Sequence, residues 1–166
     1  GVGGVRANAE LARLLADPEP NVRAAVLKQM AEKPSAKVVP QIAAYIAQEK
    51  DPDLVVHAVR LLREIKGKEA VACLLTLFAH ASWQVRAEAV DAVGESVSDR
   101  SRRSLLKNDA DESLRADAYA AILEVLADTD GFVVSRAVNA LKDADLAIAA
   151  QPLAKTAEQH PELAKS

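Results

Sequence analysis

The apolar residues of this chain recur in one repeated pattern. It consists of an acidic residue, two variable positions, an aliphatic residue that we call position zero, and small or apolar residues at plus four, plus seven and plus eight. Positions zero, plus four, plus seven and plus eight share one stripe of an α-helix. The acidic residue at minus three is placed to cap the first free N–H groups. The pattern therefore predicts amphipathic helices whose starts are marked.

Five segments fit this pattern, spaced about 30 residues apart. Other apolar-periodic stretches lie between them, and each predicts a partner helix. The positions zero are Val22, Leu54, Val85, Leu114 and Leu146, and the partner stretches are residues 10–16, 38–47, 69–78, 102–106 and 132–141. A period of this length indicates one helical hairpin per repeat, with neighbouring hairpins stacked to bury a continuous core.

The phase of the pattern is ambiguous in the C-terminal third. Asp130 and Val133 also fit the minus-three and zero positions. We nevertheless assign residues 132–141 to the outer helix of a fifth repeat. The step from Leu114 to Leu146 preserves the period, whereas the step from Leu114 to Val133 does not.

The predicted fold class is therefore all-α, an α-α superhelix (solenoid) of about five helical hairpins. We expect residues 1–7 to form a flexible N-terminal segment and residues 8–166 a single solenoid. The approximate repeats are 8–33, 35–66, 68–97, 99–127 and 130–158, with a C-terminal capping segment. The opening Gly-Val-Gly-Gly, without an initiator Met, favours a piece of a larger protein.

Three aliphatic-arginine pairs identify a family resemblance: Val22-Arg23, Val85-Arg86 and Leu114-Arg115, together with the run from Val85 to Gly94. They resemble the HEAT-like repeats first associated with phycobilisome lyases. The resemblance implies that Arg23, Arg86 and Arg115 form a structural polar ladder between neighbouring repeats. It also implies that the patterned helices line the concave side of a curved stack.

Glutamate recurs at position plus ten of four predicted repeats, which would place Glu32, Glu64, Glu95 and Glu124 in a row along the concave groove. In the third repeat, Glu88, Asp91 and Glu95 stand one turn apart, with no basic partner at the equivalent positions of the same helix. Like charges at this spacing destabilise a helix. An acidic patch of this kind could dock a basic segment of a partner.

The alternative interpretation of the same residues is a solvated helix face, in which Lys28 pairs with Glu32 and Arg60 with Glu64. Trp83 at the start of the third patterned helix offers an interface anchor if it is exposed, and otherwise packs over a hairpin edge. Residues 99–103 form the one concentrated basic stretch. They could contact phosphate or an acidic partner, or form a solvated turn.

The composition of the chain argues against several classes of function. The net charge of −3 gives nucleic-acid binding little electrostatic support. The single Cys73 forms no disulfide within the chain, and the three histidines show no metal-ligand spacing. No apolar run reaches the length of a membrane span. We therefore expect no catalytic residue, cofactor, metal or membrane partner.

The resulting expectation is a protein-protein interaction or scaffolding module that binds a partner on its concave face, as part of a larger protein. The candidate binding residues are Glu32, Arg60, Glu64, Trp83, Glu88, Asp91, Glu95 and Glu124. Alternatives are a structural spacer, or a lyase- or glycosylase-type enzyme built on HEAT-like repeats. The sequence leaves the cellular location undetermined, with the cytoplasm favoured over other compartments, and any targeting signal of the parent protein would lie outside this piece.

Overall fold

The computed structural model describes residues 10–65, 67–98 and 109–142, and all regular structure in these ranges is helical. The helices are α1 (residues 10–15), α2 (Pro20–Glu32), α3 (Val39–Gln48), α4 (Pro52–Glu64), α5 (Lys68–Thr76), α6 (Trp83–Val97), α7 (Asp109–Val125) and α8 (Gly131–Lys142). Short 3-10 turns precede α3 at Ala36–Val38 and extend α5 at Leu77–Ala79. The predicted all-α solenoid is confirmed.

The helices stack in two rows. Helix α6 packs extensively on both α4 and α8, and α4 packs in the same way on α2. Helices α3, α5 and α7 contact one another more sparsely. We call α2, α4, α6 and α8 the inner row, and α3, α5 and α7 the outer row. Closer packing along one row is the arrangement expected on the concave side of a curved stack.

The starts of the inner helices follow local chemistry. Pro20 and Pro52 occupy the first turns of α2 and α4, where a missing N–H costs no hydrogen bond. Asp51 Oδ1 accepts a 2.9 Å hydrogen bond from Asp53 N at the start of α4. Asp130 Oδ1 accepts an equivalent 2.9 Å bond from Phe132 N at the start of α8. Helix α8 therefore begins in the same way as an inner helix.

The assignment of α8 to the outer row of a fifth repeat is wrong. Its packing along α6 places it in the inner row, and Val133 and Ala137 are fully buried there. Helix α7, which carries the fourth patterned segment, lies in the outer row and contacts α5, α6 and α8. The pattern identifies both helices but cannot assign their rows, because an outer helix also buries an apolar stripe.

The predicted partner helix at residues 102–106 and the continuation of the fifth repeat beyond Lys142 lie outside the described residues.

One continuous apolar core runs between the rows, from Leu15 near the N-terminal end to Ala137 in α8. The largest fully buried side chains come from both rows, including Leu27, Ile42 and Tyr119. The buried residues form one cluster, and α4, α6 and α8 each pack against an outer helix as well as against an inner neighbour. The core is what fixes the spacing of the inner helices.

The approach of α6 to α8 depends on Gly94. A Cβ added at Gly94 would lie 2.8 Å from the Cβ of Ala140 and 3.5 Å from its Cα. Both atoms belong to the body of α8, so the contact cannot be relieved by rotating a long side chain. Glycine at this position therefore permits close helix packing, despite its low intrinsic helix propensity.

Gly94→Ala is expected to lower the free energy of unfolding by about 1 kcal/mol, because overpacking outweighs the gain in helix propensity. Ala140→Gly should partly restore the close approach, so a double-mutant cycle by urea denaturation should show favourable coupling between the two changes. A Gly94→Ala variant as stable as the parent, or more stable, would contradict the close approach of α6 and α8.

Candidate protein-binding surface

Among the described residues, one side of the inner helices packs against neither row, and we call this side the open face. It is formed by positions plus three, plus six and plus ten, counted from Val22, Leu54, Val85 and Val133. The residues at these positions are Ala25, Lys28, Glu32, His57, Arg60, Glu64, Glu88, Asp91, Glu95, Arg136 and Asn139. All are exposed or partly exposed.

The acidic residues of α6 are paired with arginines from the neighbouring inner helices. Glu88 Oε1 lies 3.4 Å from Arg60 Nη2 of α4. Asp91 forms an ion pair with Arg136 of α8. These acids thus have no basic partner at the equivalent positions of their own helix but do have partners on other helices. The partners lie one inner helix away, where spacing along a single helix cannot reveal them.

Glu95 is paired in the same way, with Arg63 of α4. Arg63 lies one position before the open-face position of its helix and points across the seam between α4 and α6. Arginines on both sides of α6 thus offset its three acids, and the open face does not present an isolated acidic patch in this region.

The predicted row of four glutamates is also incomplete. Glu32, Glu64 and Glu95 occupy equivalent positions on α2, α4 and α6. Glu124 is exposed but lies on α7, in the outer row. It therefore does not line the open face. The misplacement follows from treating α7 as an inner helix.

The open face has a repeating geometry at its seams, because position plus six of one inner helix meets position plus three of the next. Arg60 meets Glu88 at the α4–α6 seam, and Asp91 meets Arg136 at the α6–α8 seam. Each of these seams is bridged by opposite charges. At the α2–α4 seam, the same two positions hold Lys28 and His57.

A cleft of about 510 Å³ opens at the α2–α4 seam. Its floor carries small and apolar side chains, including Ala24, Ala31 and Leu61, and its rim carries Lys28 and His57. Arg60 and Glu64 from α4 also line it. The cleft is thus mostly apolar inside, and its edge carries the basic side chains of Lys28 and Arg60, the imidazole of His57 and the carboxylate of Glu64.

An aromatic pair lies at the start of α6 and α8. Trp83 and Phe132 stack with ring centroids 5.5 Å apart and an interplanar angle of 26°. Both remain accessible, since Trp83 is 42% exposed and Phe132 is 68% exposed. Trp83 was predicted as an anchor if exposed. Phe132 could not be recognised as its neighbour while α8 was assigned to the outer row.

Arg23 joins α2 to the segment that precedes α4. Its Nε donates a 2.7 Å hydrogen bond to Glu49 Oε2, and its Nη2 donates a 3.2 Å bond to Glu49 Oε1. Its Nη1 also donates to the Asp17 carbonyl at 2.8 Å. Tyr45 Oη completes the cluster by donating to Glu49 at 2.6 Å. A bidentate arginine thus fixes one repeat against the next.

Arg86 does the same between α6 and α8. Its Nε and Nη2 donate to the two carboxylate oxygens of Asp128 at 2.8 and 3.1 Å, and its Nη1 donates to the His80 carbonyl at 2.9 Å. Glu49 and Asp128 both lie two residues before a capping aspartate, Asp51 or Asp130. This shared spacing is the sequence signal that could have identified both partners. Val55 replaces the arginine in α4, so the intervening seam lacks the equivalent contact.

Arg115 is placed differently from the other two arginines. It is 5% exposed on α7, where its Nε donates a 3.0 Å hydrogen bond to the Val97 carbonyl. It also forms an ion pair of 2.6 Å with Glu112, one turn away in α7. Arg115 thus ties an outer helix to the C-terminal end of α6, rather than one inner helix to the next.

The carboxylates that receive Arg23 and Arg86 have shifted acidities. Burial alone would raise the pKa of Glu49, but hydrogen bonds from Arg23, Tyr45 and the Asp51 N–H outweigh it and lower that pKa. Burial opposes the same effect at Asp128, where bonds from Arg86 and the Asp130 N–H lower the pKa. In the folded protein, both carboxylates therefore stay ionised down to a lower pH than an ordinary glutamate or aspartate would.

Asp91 behaves in the opposite way. Burial raises its pKa, and nearby Glu88 adds to this, although Arg136 and Arg63 act against it. The ion pair with Arg136 therefore compensates burial only in part. Asp91, in the middle of the open face, is thus held less firmly as an anion than an ordinary exposed aspartate.

The chain matches the family model for HEAT repeats over residues 8–94 and 48–123. The chain belongs to the HEAT-repeat family. The match is to HEAT repeats in general, so the narrower resemblance to the phycobilisome lyase-type class stays a prediction. No curated protein sequence matches the chain significantly.

The chemistry available in the described part of this HEAT-repeat protein is limited. No group of three or more His, Cys, Asp or Glu side chains there is arranged to hold a metal ion. Burial raises the pKa of the Cys73 thiol, which lowers its thiolate fraction and its reactivity as a nucleophile. Within the same residues, none of the helices has the length and apolar character to cross a bilayer.

Glu49→Gln should weaken the dependence of the free energy of unfolding on pH below neutrality. The folded pKa of Glu49 lies below its unfolded value of about 4.3, so its contribution is complete above that pH and is lost as the pH falls through the folded pKa. The variant should lose about 2 kcal/mol at pH 7 and progressively less below pH ~4.

Urea unfolding of parent and variant between pH ~7 and ~3 checks this linkage. Glu32→Gln, at an exposed site on α2, is the matched control and should be close to the parent throughout. A constant difference between Glu49→Gln and the parent over this range would refute the account of Glu49.

Reversing the α6–α8 ion pair should be destabilising only when one side is changed. Asp91→Arg places a cation against Arg136, so the free energy of unfolding should fall by about 1 kcal/mol. Adding Arg136→Asp restores opposite charges and should recover most of this loss, as measured by chemical denaturation.

The exposed Glu10–Arg13 pair of α1 serves as a control for the ion-pair exchange. Glu10→Arg should leave the free energy of unfolding close to that of the parent, because both side chains are largely solvated. If Arg136→Asp gave no recovery, the contact across the α6–α8 seam would not exist in solution.

Proposed function

We propose that this HEAT-repeat protein is a non-catalytic scaffold module that holds a protein partner against the open face of its inner row. The proposal starts from the fold, because HEAT repeats stack into extended surfaces that commonly serve protein interaction. HEAT repeats are generally not enzymes, and this general character of the family is what supports the non-catalytic part of the proposal.

The observation that carries the proposal is the exposed aromatic pair of Trp83 and Phe132. Aromatic side chains bury large areas at little cost in conformational entropy and are enriched among residues that dominate binding energy. The two rings are stacked on each other, which favours one relative orientation before a partner arrives. They form an exposed apolar anchor at the edge of the α6–α8 seam.

The charged residues of α6 follow this anchor along the same helix and belong to the open face. Glu88, Asp91 and Glu95 are held in ion pairs across the seams. Pairs of this kind set the orientation and specificity of a partner more than its affinity. The acids thus contribute to recognition as part of a network, and their pairing argues against a basic segment as the main ligand in this region.

Trp83→Ala with Phe132→Ala is expected to remove the partner without unfolding the module. Affinity capture followed by quantitative mass spectrometry compares the parent, this double variant, and Asp117→Ala with Glu124→Ala on α7. The loss of two anchor aromatics should reduce the amount of captured partner by at least about tenfold. The outer-row variant should capture the same proteins as the parent, and circular dichroism should show unchanged helix content in all three.

The outer-row variant makes the experiment decisive. Partners retained in full by the Trp83 and Phe132 double variant would contradict the proposed use of the open face, as would partners lost only from the α7 variant. Absence of any specifically captured protein from the parent would count against a binding module.

A further inference from the structure

The α2–α4 seam departs from the charge pattern of the rest of the open face. At the other two seams, an acid and an arginine meet where position plus six of one helix faces position plus three of the next. Here Lys28 and His57 occupy those positions. Neither side chain has a hydrogen bond or ion pair with another residue in the part of the chain that the structure describes. The seam therefore lacks the anion that bridges its neighbours.

Arg60 adds a third basic group beside this seam. Its link to Glu88 is long, at 3.4 Å, and the Arg60 side chain is 59% exposed. An exposed ion pair of this length contributes little and is easily exchanged for a better one. Arg60 can therefore turn toward the α2–α4 cleft without a large loss of stability.

The cleft itself has room for a ligand. Its volume of about 510 Å³ falls in the range of small-ligand and peptide side-chain sites. Small side chains on α2, Ala24, Ala25 and Ala31, leave this space open beneath the basic rim. An extended peptide could place an apolar side chain on the alanine floor and a neighbouring carboxylate at the rim.

We propose that the α2–α4 cleft binds an acidic peptide segment of a protein partner, whose carboxylate lies between Lys28, His57 and Arg60. This proposal rests on the proposed function, because it specifies which part of the open face recognises the acidic segment of the partner. The bound carboxylate supplies the charge that an acidic side chain of the chain itself supplies at the other seams. Charge complementarity thus selects an acidic occupant over a basic one.

Lys28→Glu separates binding from folding. The substitution places a carboxylate opposite His57 and near Arg60, which recreates within the chain the pairing seen at the other seams. The folded state should be nearly as stable as the parent, because repulsion between the new carboxylate and Glu32, one turn away on the exposed surface of α2, is weak. An incoming acidic segment, in contrast, meets an occupied and repelling site. Lys68→Glu on α5 makes the same change in net charge on the outer row and serves as the matched control.

The test is selection of 12-residue peptides from a random phage-displayed library on the parent protein, followed by fluorescence anisotropy with the enriched synthetic peptides. We expect enriched peptides to carry Asp or Glu, and their affinity to fall at least tenfold with Lys28→Glu and less than twofold with Lys68→Glu. Replacing the peptide carboxylate by the amide should weaken binding to the parent but not to Lys28→Glu. Thermal unfolding checks that both variants remain folded.

Enriched peptides without a carboxylate, equal affinity for Lys28→Glu and the parent, or no enrichment at all would overturn the proposal. Including Trp83→Ala with Phe132→Ala in the same series distinguishes the two ideas. Peptides that lose affinity only for the aromatic variant would refute the cleft while leaving the open face as the binding surface. The same conclusion would follow if the Trp83→Ala with Phe132→Ala variant lost captured partners while Lys28→Glu bound the peptides as tightly as the parent.

Discussion

The close approach of successive inner helices is the constraint on which the rest of this structure depends. Gly94 lies against Ala140, and any larger side chain at either position would push α6 and α8 apart. The same proximity lets Asp91 reach Arg136 and lets Trp83 stack on Phe132. Packing within the inner row therefore determines both the charge pattern of the open face and the exposed aromatic pair at the edge of the α6–α8 seam.

The ion pairs between neighbouring inner helices follow from that geometry. Each seam joins the same two positions of neighbouring helices, so the residue types at those positions decide whether the seam is closed by an ion pair or left open. Two seams are closed through the acids of α6. The first seam holds Lys28 and His57 above a floor of alanines, and a cleft remains. Variation at two positions per repeat thus produces different local surfaces on one regular scaffold.

Sequence periodicity was sufficient to predict the all-α solenoid, because a recurring apolar stripe has one consistent explanation in stacked helical hairpins. It was insufficient to decide which row a helix joins. Leu114 in α7 and Val133 in α8 both begin apolar stripes, and the longer interval after α6 conceals that α8 continues the inner row. The capping Asp130, and Asp128 before it, carried the signal that the period obscured.

Only those features of the candidate site that depend on a single helix could be predicted from the sequence. Positions facing away from the core were located correctly on α2, α4 and α6, since helix geometry fixes them. The ionic partners Arg63 and Arg136 could not be found, because they lie on other helices at sequence separations that no local pattern connects. Glu124 was assigned to the wrong row together with its helix.

A two-dimensional NOESY spectrum of the protein with assigned aromatic and methyl resonances tests most directly whether α8 continues the inner row. The account predicts cross-peaks between the Trp83 and Phe132 rings and between the Gly94 α-protons and the Ala140 methyl group. Absence of both sets, in a sample whose Val85 and Ala89 signals show α6 to be folded, would contradict it and with it the open face described above.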